Sequence, residues 1–267
     1  MKKYISFFKL RFINGLQYRG AALAGIATQF AWGALQILMY KAFYIEHSSS
    51  FPMGLSELST YIWLQQSFIS LFMIWFMEGE IFNTITSGNI TYELSRPMNI
   101  YNMWFARSVA NRLARAILRC VPILLFAAFL PAPYGLSLPK SLGSFLLFIF
   151  TLVIAFLLAV AFCMIVYVTC FFTVSPMGIR MLAVSMGDLL SGSIVPLPFF
   201  PDKIRGFIEL LPFASMQNTP LRIYSGNIAG EEAMKAVIVQ LTWLVLLVLI
   251  GKSIEHKAMK KLTVMGG

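Results

Sequence analysis

Two glutamates two residues apart, Glu78 and Glu80, are the nearest thing in this chain to a carboxylate pair for acid–base work. Such a pair needs a histidine, a nucleophile or a metal within reach. None stands nearby in sequence, and the two acids flank Gly79 where an apolar run ends. Salt bridging or docking is the chemistry that fits them. His47 and His256 fall on opposite sides of the topology argued below, so they cannot share a metal or build a triad within one chain. Gly251-Lys252-Ser253 imitates the end of a phosphate-binding loop, but that motif needs a glycine where Leu246 stands. Cys120, Cys163 and Cys170 lie inside apolar stretches without metal-type spacing and read as buried thiols. The expectation is a chain with no catalytic centre, no cofactor of its own and no metal. Asp188 is the remaining candidate, the only acid deep inside an apolar stretch. Acids there are costly and usually face an interior or a water-filled path. Either it contacts a substrate or gate, or it bonds Ser185, Ser191 or a neighbouring helix in a structural role.

The elements that must position these residues are apolar. Of 267 residues, 58% are hydrophobic and 12% charged, and mean hydropathy is +0.76. A soluble domain carries about 25% charged residues. Six apolar stretches, at 20–43, 58–77, 116–130, 144–172, 178–195 and 233–250, approach or exceed the roughly 20 residues that cross a bilayer core. The fold class expected is an all-α membrane protein with six transmembrane helices, forming one domain over 1–267. Alternating the connections between sides puts 15 of the 21 Lys and Arg on the side of both termini. That bias places both termini in the cytoplasm. The net charge of +10 is then a topology signal, and nucleic-acid binding is a poor reading because the charges flank helices. The basic, amphipathic start does not resemble a cleavable signal peptide.

Residues 1–19 carry Ile5, Phe8, Phe12 and Leu16 near helical spacing, with Lys2, Lys9 and Arg11 off that stripe, which predicts an interfacial helix or an extension of the first span. In the first span, Gln29 and Gln36 are seven apart and share a face. Such a face suits helix packing or a polar cavity. Gln66 and Ser70 follow in the second. Residues 78–115 are too polar to span and too short to fold alone. At their end, entering the third span, Arg112, Arg115 and Arg119 share a face and could reach lipid phosphates or an acidic partner, or simply mark the inner side. The stretch 144–172 is almost uniformly apolar, which predicts wide lipid contact. The fifth stretch breaks at Pro196, Pro198 and Pro201. Beyond the break, Ile204, Phe207, Ile208 and Leu211 predict an amphipathic helix, making 196–213 an outer re-entrant or amphipathic segment.

Two motifs carry a family resemblance. "EGEIFNTITSGNITYELSRPMN" resembles the acidic-to-proline stretch that forms the coupling helix of type 2 ABC exporter permeases. "SGSIVPLPFFPDKIRGFIELLPF" is similar to that family's signature around the end of its fifth helix. The opening "FFKLRFINGLQYRGAALAGIATQFAWG" is similar to a bacterial, viologen-exporter-like branch. The resemblance covers essentially the whole chain. It implies a permease of the bacterial plasma membrane that exports an amphipathic or hydrophobic small molecule. It further implies an ATP-binding subunit holding ATP and magnesium, a second permease half (the same or a related chain), and surrounding lipid. Carried over by position, coupling falls to Glu78, Glu80, Asn83, Gly88, Tyr92, Glu93, Arg96 and Pro97. The path falls to Gln29, Gln36, Gln66, Ser70, Ser185 and Asp188, and the outer gate to Pro196, Pro198 and Pro201. The rival readings are an ion-gradient-driven transporter, which would show inverted repeats and a midplane charge network, and a non-transporting scaffold.

Overall fold

A computed structural model describes residues 2–47, 51–173 and 175–261, which are mostly helical with no strand among them. In chain order the helices are α1 Lys2–Leu16, α2 Arg19–His47, α3 Leu55–Phe72, α4 Gly79–Thr86, α5 Ile90–Leu94 and α6 Ile100–Phe129. They continue with α7 Leu142–Thr169, α8 Pro176–Leu190, α9 Asp202–Glu209, α10 Pro212–Ser225 and α11 Gly230–Lys261. Four runs are long and apolar enough to cross a membrane: Arg19–Ile45, Leu55–Thr86, Leu142–Phe172 and Gly230–Lys260. The other two expected spans differ in kind. The stretch 116–130 is the second half of the 30-residue α6, whose first half carries Arg107, Arg112 and Arg115. The stretch 178–195 holds α8, only 15 residues long, about 22 Å at roughly 1.5 Å per residue, against a core about 30 Å thick.

Helix α3 is the central post. Its residues from Leu58 to Ser67 are all buried, and α2, α6 and α10 pack around it. Helix α7 is the second post and narrows the expectation of wide lipid contact to its first part: Leu146, Phe150 and Val153 are exposed, while Phe148, Leu152, Leu158, Cys163 and Tyr167 are buried. The cover is α11 on one side and α10 on another. Helix α10 was not anticipated as a helix. Every residue from Pro212 to Leu221 is buried, polar Ser215, Gln217, Asn218 and Thr219 included. It runs beside α7, with Phe213 against Phe162 and Tyr224 against Phe148. Together α9 and α10 make a helical hairpin tied by the Arg222–Glu209 ion pair. The expected amphipathic stripe on α9 is only partly used: Ile208 is buried, while Ile204 and Phe207 stay exposed.

One side chain stitches this half together. The Gln240 amide of α11 donates to the carbonyls of Thr151 (3.0 Å) on α7 and Ser215 (2.9 Å) on α10. Replacing it with leucine keeps the volume but removes both ties between the helices, whose carbonyls keep only their own intrahelical bonds. Each such hydrogen bond is worth about 0.5–1.5 kcal/mol net. Gln240→Leu is therefore expected to lower the melting temperature of the detergent-solubilised chain by several degrees, read by differential scanning fluorimetry; an unchanged midpoint would remove this tie from the account.

Helix α1 packs along the first half of α6. Its half-buried stripe is Tyr4, Phe7, Phe8, Arg11, Phe12, Gly15 and Leu16. The expected stripe is thus rotated: Ile5 is exposed and Arg11 joins the packed face, where Glu80 lies 4.0 Å away. At this end Asn99 caps α6 by accepting from the Asn102 amide at 3.0 Å. Its own amide N–H donates to the Tyr4 hydroxyl (3.0 Å), and its side chain donates to Glu255 of α11 (3.1 Å).

Candidate functional site

Helices α2, α3 and α8 leave a cavity of about 430 Å³ between them. Gln29 and Gln36 reach it from α2, Gln65 and Gln66 from α3, and Asp188 from α8. The seven-residue spacing on α2 is two helical turns, which sets both amides on one face. The Gln66 amide donates to Gln36 Oε1 at 3.3 Å, and Gln65 donates to the Ser193 carbonyl at 2.8 Å. The Ser193 hydroxyl in turn donates to the Asp188 carbonyl at 2.9 Å, closing the end of α8. Gln29 is buried with its Oε1 unpartnered among the described residues. The rim carries Trp32 and Trp75, both exposed, so the space joins amide chemistry to broad aromatic faces. Of the six residues expected to line a path, four meet here. Ser70 and Ser185 do not: Ser70 is turned into the core one position round from the lining residue Ile69, and Ser185 is exposed on α8. Gln65, adjacent to Gln66, is a lining residue the sequence reading passed over.

The break after α8 sits at the end of the molecule opposite α4 and α5. Pro196 and Pro198 are buried, with Leu197 fully buried between them, while Pro201 is exposed and caps α9. Phe199 stacks into Tyr40 (5.2 Å between ring centroids) and Phe51 (5.6 Å), and Phe51 stacks on Tyr44 (4.5 Å). Aromatic packing therefore fixes this turn against the end of α2.

At the other end, α4 and α5 form a short projecting hairpin around Gly88, whose φ of 76° suits a residue without a side chain. Asn83, Gly88, Tyr92, Arg96 and Pro97 are exposed on it, with Tyr92 at 74%. Below the hairpin the carboxylates of Glu78 and Glu93 turn inward, while Glu80 stays at the surface. Arg107 of α6, nearly fully buried, faces Glu78 (3.9 Å), Glu93 (3.9 Å) and Glu80 together, and Trp104 donates to Glu93. The Glu78 amide N–H donates to the Tyr167 hydroxyl at 2.6 Å, and Phe82 packs edge-on against the same ring. So the eight residues expected to couple divide: Glu78 and Glu93, shielded beside Arg107, hold the hairpin to the body, Glu80 pairs with Arg107 from the surface, and the other five are displayed. Arg11 reaches the same cluster, and partial burial, followed by repulsion from Arg107, lowers its pKa from the ordinary arginine value. Sequence reading gave Arg107 no separate role, since its three partners lie 14 to 29 positions away.

Arg112 corrects a reading outright. Rather than facing lipid or a partner, it is 1% exposed. It donates to the carbonyls of Leu71 (3.1 Å) and Met73 (2.8 Å) and to Cys163 Sγ (3.2 Å). These carbonyls belong to the end of α3, where unpaired oxygens and the helix dipole favour a cation.

No curated protein matches the chain. A family model for ABC-2 family transporter proteins matches residues 30–266. The match takes in the α4–α5 hairpin, the break after α8 and the cavity apart from Gly25, Thr28 and Gln29. Members of that family are multi-pass membrane permeases that work with an ATP-binding subunit and are not themselves the ATPase. With the match running over nearly all of its length, this chain belongs to the ABC-2 transporter family.

Proposed function

We propose that the chain is one permease half of an ATP-driven exporter that moves an amphipathic or hydrophobic small molecule out of a bacterial cell. The observation that carries the reading is the cavity of Gln29, Gln36, Gln65, Gln66 and Asp188 rimmed by Trp32 and Trp75. Amides bind a polar head without requiring a charge, and indole faces bind flat apolar groups. A second permease half, the same or a related chain, supplies the facing wall. In this reading α2, α3, the second half of α6, α7, α8 with the turn that follows it, and α11 make six passes with both termini in the cytoplasm. Helix α1 lies at the inner interface, the α4–α5 hairpin docks on the ATP-binding subunit, and the turn at Pro196–Pro201 with α9 forms the outer gate. ATP and its magnesium belong to the partner. Binding of ATP shifts the permease between inward- and outward-open states, because a ligand moves an equilibrium only by its differential affinity.

The test is purification of the tagged chain from its native membrane in mild detergent, with co-purifying subunits identified by mass spectrometry. An ATP-binding subunit supports the reading. Its absence even after cross-linking, with transport surviving ATP depletion, would favour a gradient-driven carrier. Within the complex, Tyr92→Ala removes the most exposed aromatic of the hairpin. Truncating a tyrosine that serves as an interface hot spot costs about 2 kcal/mol, so affinity for the ATP-binding subunit should fall by more than about tenfold with the chain's own melting temperature unchanged. Equal affinity would move the docking surface elsewhere.

A further inference from the structure

A second cleft, about 320 Å³ in volume, lies between α1, the start of α2 and the middle of α6. Arg11, Asn14, Tyr18, Asn111, Arg115 and Arg119 line it, with Glu78, Glu80 and Arg107 also on its wall. Four arginines thus face two carboxylates. Arg107 and Arg11 are the two that meet those acids. Arg115 and Arg119 have no ion-pair partner among the described residues. Arg115 lies over the Phe76 ring at 5.4 Å. Arg119 donates to the Ala21 carbonyl at 3.3 Å, and its Nε is buried without a partner. The space it occupies is made by Gly25, where a Cβ would stand 2.4 Å from the guanidinium carbon. A guanidinium drawn out of water without a carboxylate is unfavourable until an anion completes it. Its planar fork of N–H donors matches phosphate oxygens.

The position of the cleft selects the source of that phosphate. Arg119 touches Ala21, at the start of the apolar run of α2. Tyr18, 72% exposed, stands at the same level, the depth at which amphipathic aromatics collect. Beyond Arg119 the outer face of α6 turns apolar and exposed at Val121, Leu125 and Phe129. A polar, cationic cleft continuing into an exposed apolar stripe matches a phosphate followed by acyl chains. Free phosphate has no use for the stripe.

We propose that this cleft binds the phosphate of an anionic membrane phospholipid, with Arg115 and Arg119 as its direct ligands and Asn111 and Tyr18 beside them. Of the three arginines in helical register, Arg112 is excluded by its carbonyl partners. The site is separate from the path cavity, with which it shares only Arg119, so it stands whichever subunit or gradient drives transport.

The test uses the full chain in mixed detergent micelles, with retained lipid counted by native mass spectrometry. The probes are palmitoyl-oleoyl-phosphatidylglycerol, the matching phosphatidylcholine, and inorganic phosphate alone. Wild type should retain phosphatidylglycerol over phosphatidylcholine. The Arg115→Gln/Arg119→Gln variant should lose about tenfold in retention, the scale of one charge-assisted contact. Asn111→Asp places a carboxylate beside Arg115 without changing size; it should lower retention with the melting temperature kept, and it decides the matter if the double variant does not fold. Lys252→Gln should change nothing. Equal retention of phosphatidylglycerol by wild type and Asn111→Asp would overturn the site. Binding of inorganic phosphate with no retention of phosphatidylglycerol would overturn the lipid as its occupant.

Discussion

Arg112→Ala is expected to lower the melting temperature of the solubilised chain by roughly 6–12 °C, the equivalent of about 3 kcal/mol for a protein of this size. The estimate follows from what the side chain does. Its loss leaves the Leu71 carbonyl without its Arg112 donor, the Met73 carbonyl with only the Phe76 amide at 3.4 Å, and a cavity where a long buried side chain had been. Hydrogen bonds to a charged group are worth about 1.5–3 kcal/mol each, and partial relaxation offsets some of that loss. Arg112→Lys keeps the charge but not the fork that reaches Leu71, Met73 and Cys163 together, so it should fall between wild type and alanine. Arg112→Met fills the volume without donating and should resemble alanine. If methionine instead restores stability, then packing and not hydrogen bonding is what Arg112 supplies. The substitution Cys163→Ala is the internal control: it removes the weakest of the three acceptors and should cost least.

Arg107→Gln is expected to separate ATP hydrolysis from transport in the assembled transporter. Arg107 is the shared cation of Glu78, Glu80 and Glu93, and Glu78 and Glu93 are themselves largely shielded. Removing one partner from a buried ion pair costs about 3–5 kcal/mol, because the remaining charges lose their counter-charge. That exceeds the ~1.4 kcal/mol that makes a tenfold change. The α4–α5 hairpin should loosen from α6 and α7 while its exposed face, with Asn83, Tyr92 and Arg96, stays intact. Docking of the ATP-binding subunit should survive, hydrolysis should remain within a few-fold, and transport should drop by at least tenfold. Glu80→Gln is the contrasting variant. Its side chain is 73% exposed, and exposed pairs are worth about 0–1 kcal/mol, so transport should be nearly normal. Parallel loss of hydrolysis and transport in Arg107→Gln would show that the cluster sets subunit binding and not the transmission of movement. Hydrogen exchange across residues 79–94 would report the loosening directly.

What the sequence could determine is what short-range patterns encode. The apolar runs of α2, α3, α7 and α11 are local sums of hydropathy, and they located the helices that can cross a membrane. The shared face of Gln29 and Gln36 follows from helical geometry alone. The polar run from Glu78 to Pro97 could not span, so it had to project, and it does. The family signal also sits in such contiguous stretches. What only the tertiary structure decided is which polar groups are buried and with whom. Helix α10 reads as an ordinary polar stretch, with Gln217, Asn218, Thr219 and Arg222, yet it lies inside because α3, α7 and α11 enclose it and Gln240 answers the Ser215 carbonyl. Arg112, Arg115 and Arg119 look alike on a helical wheel, but one is sealed against the end of α3 and the other two open on a cleft. The reason is energetic. An apolar side chain leaves water for any apolar neighbour, so its fate is written in composition. A buried charge or amide is tolerated only where specific partners meet it, and here those partners come from helices far apart in the chain.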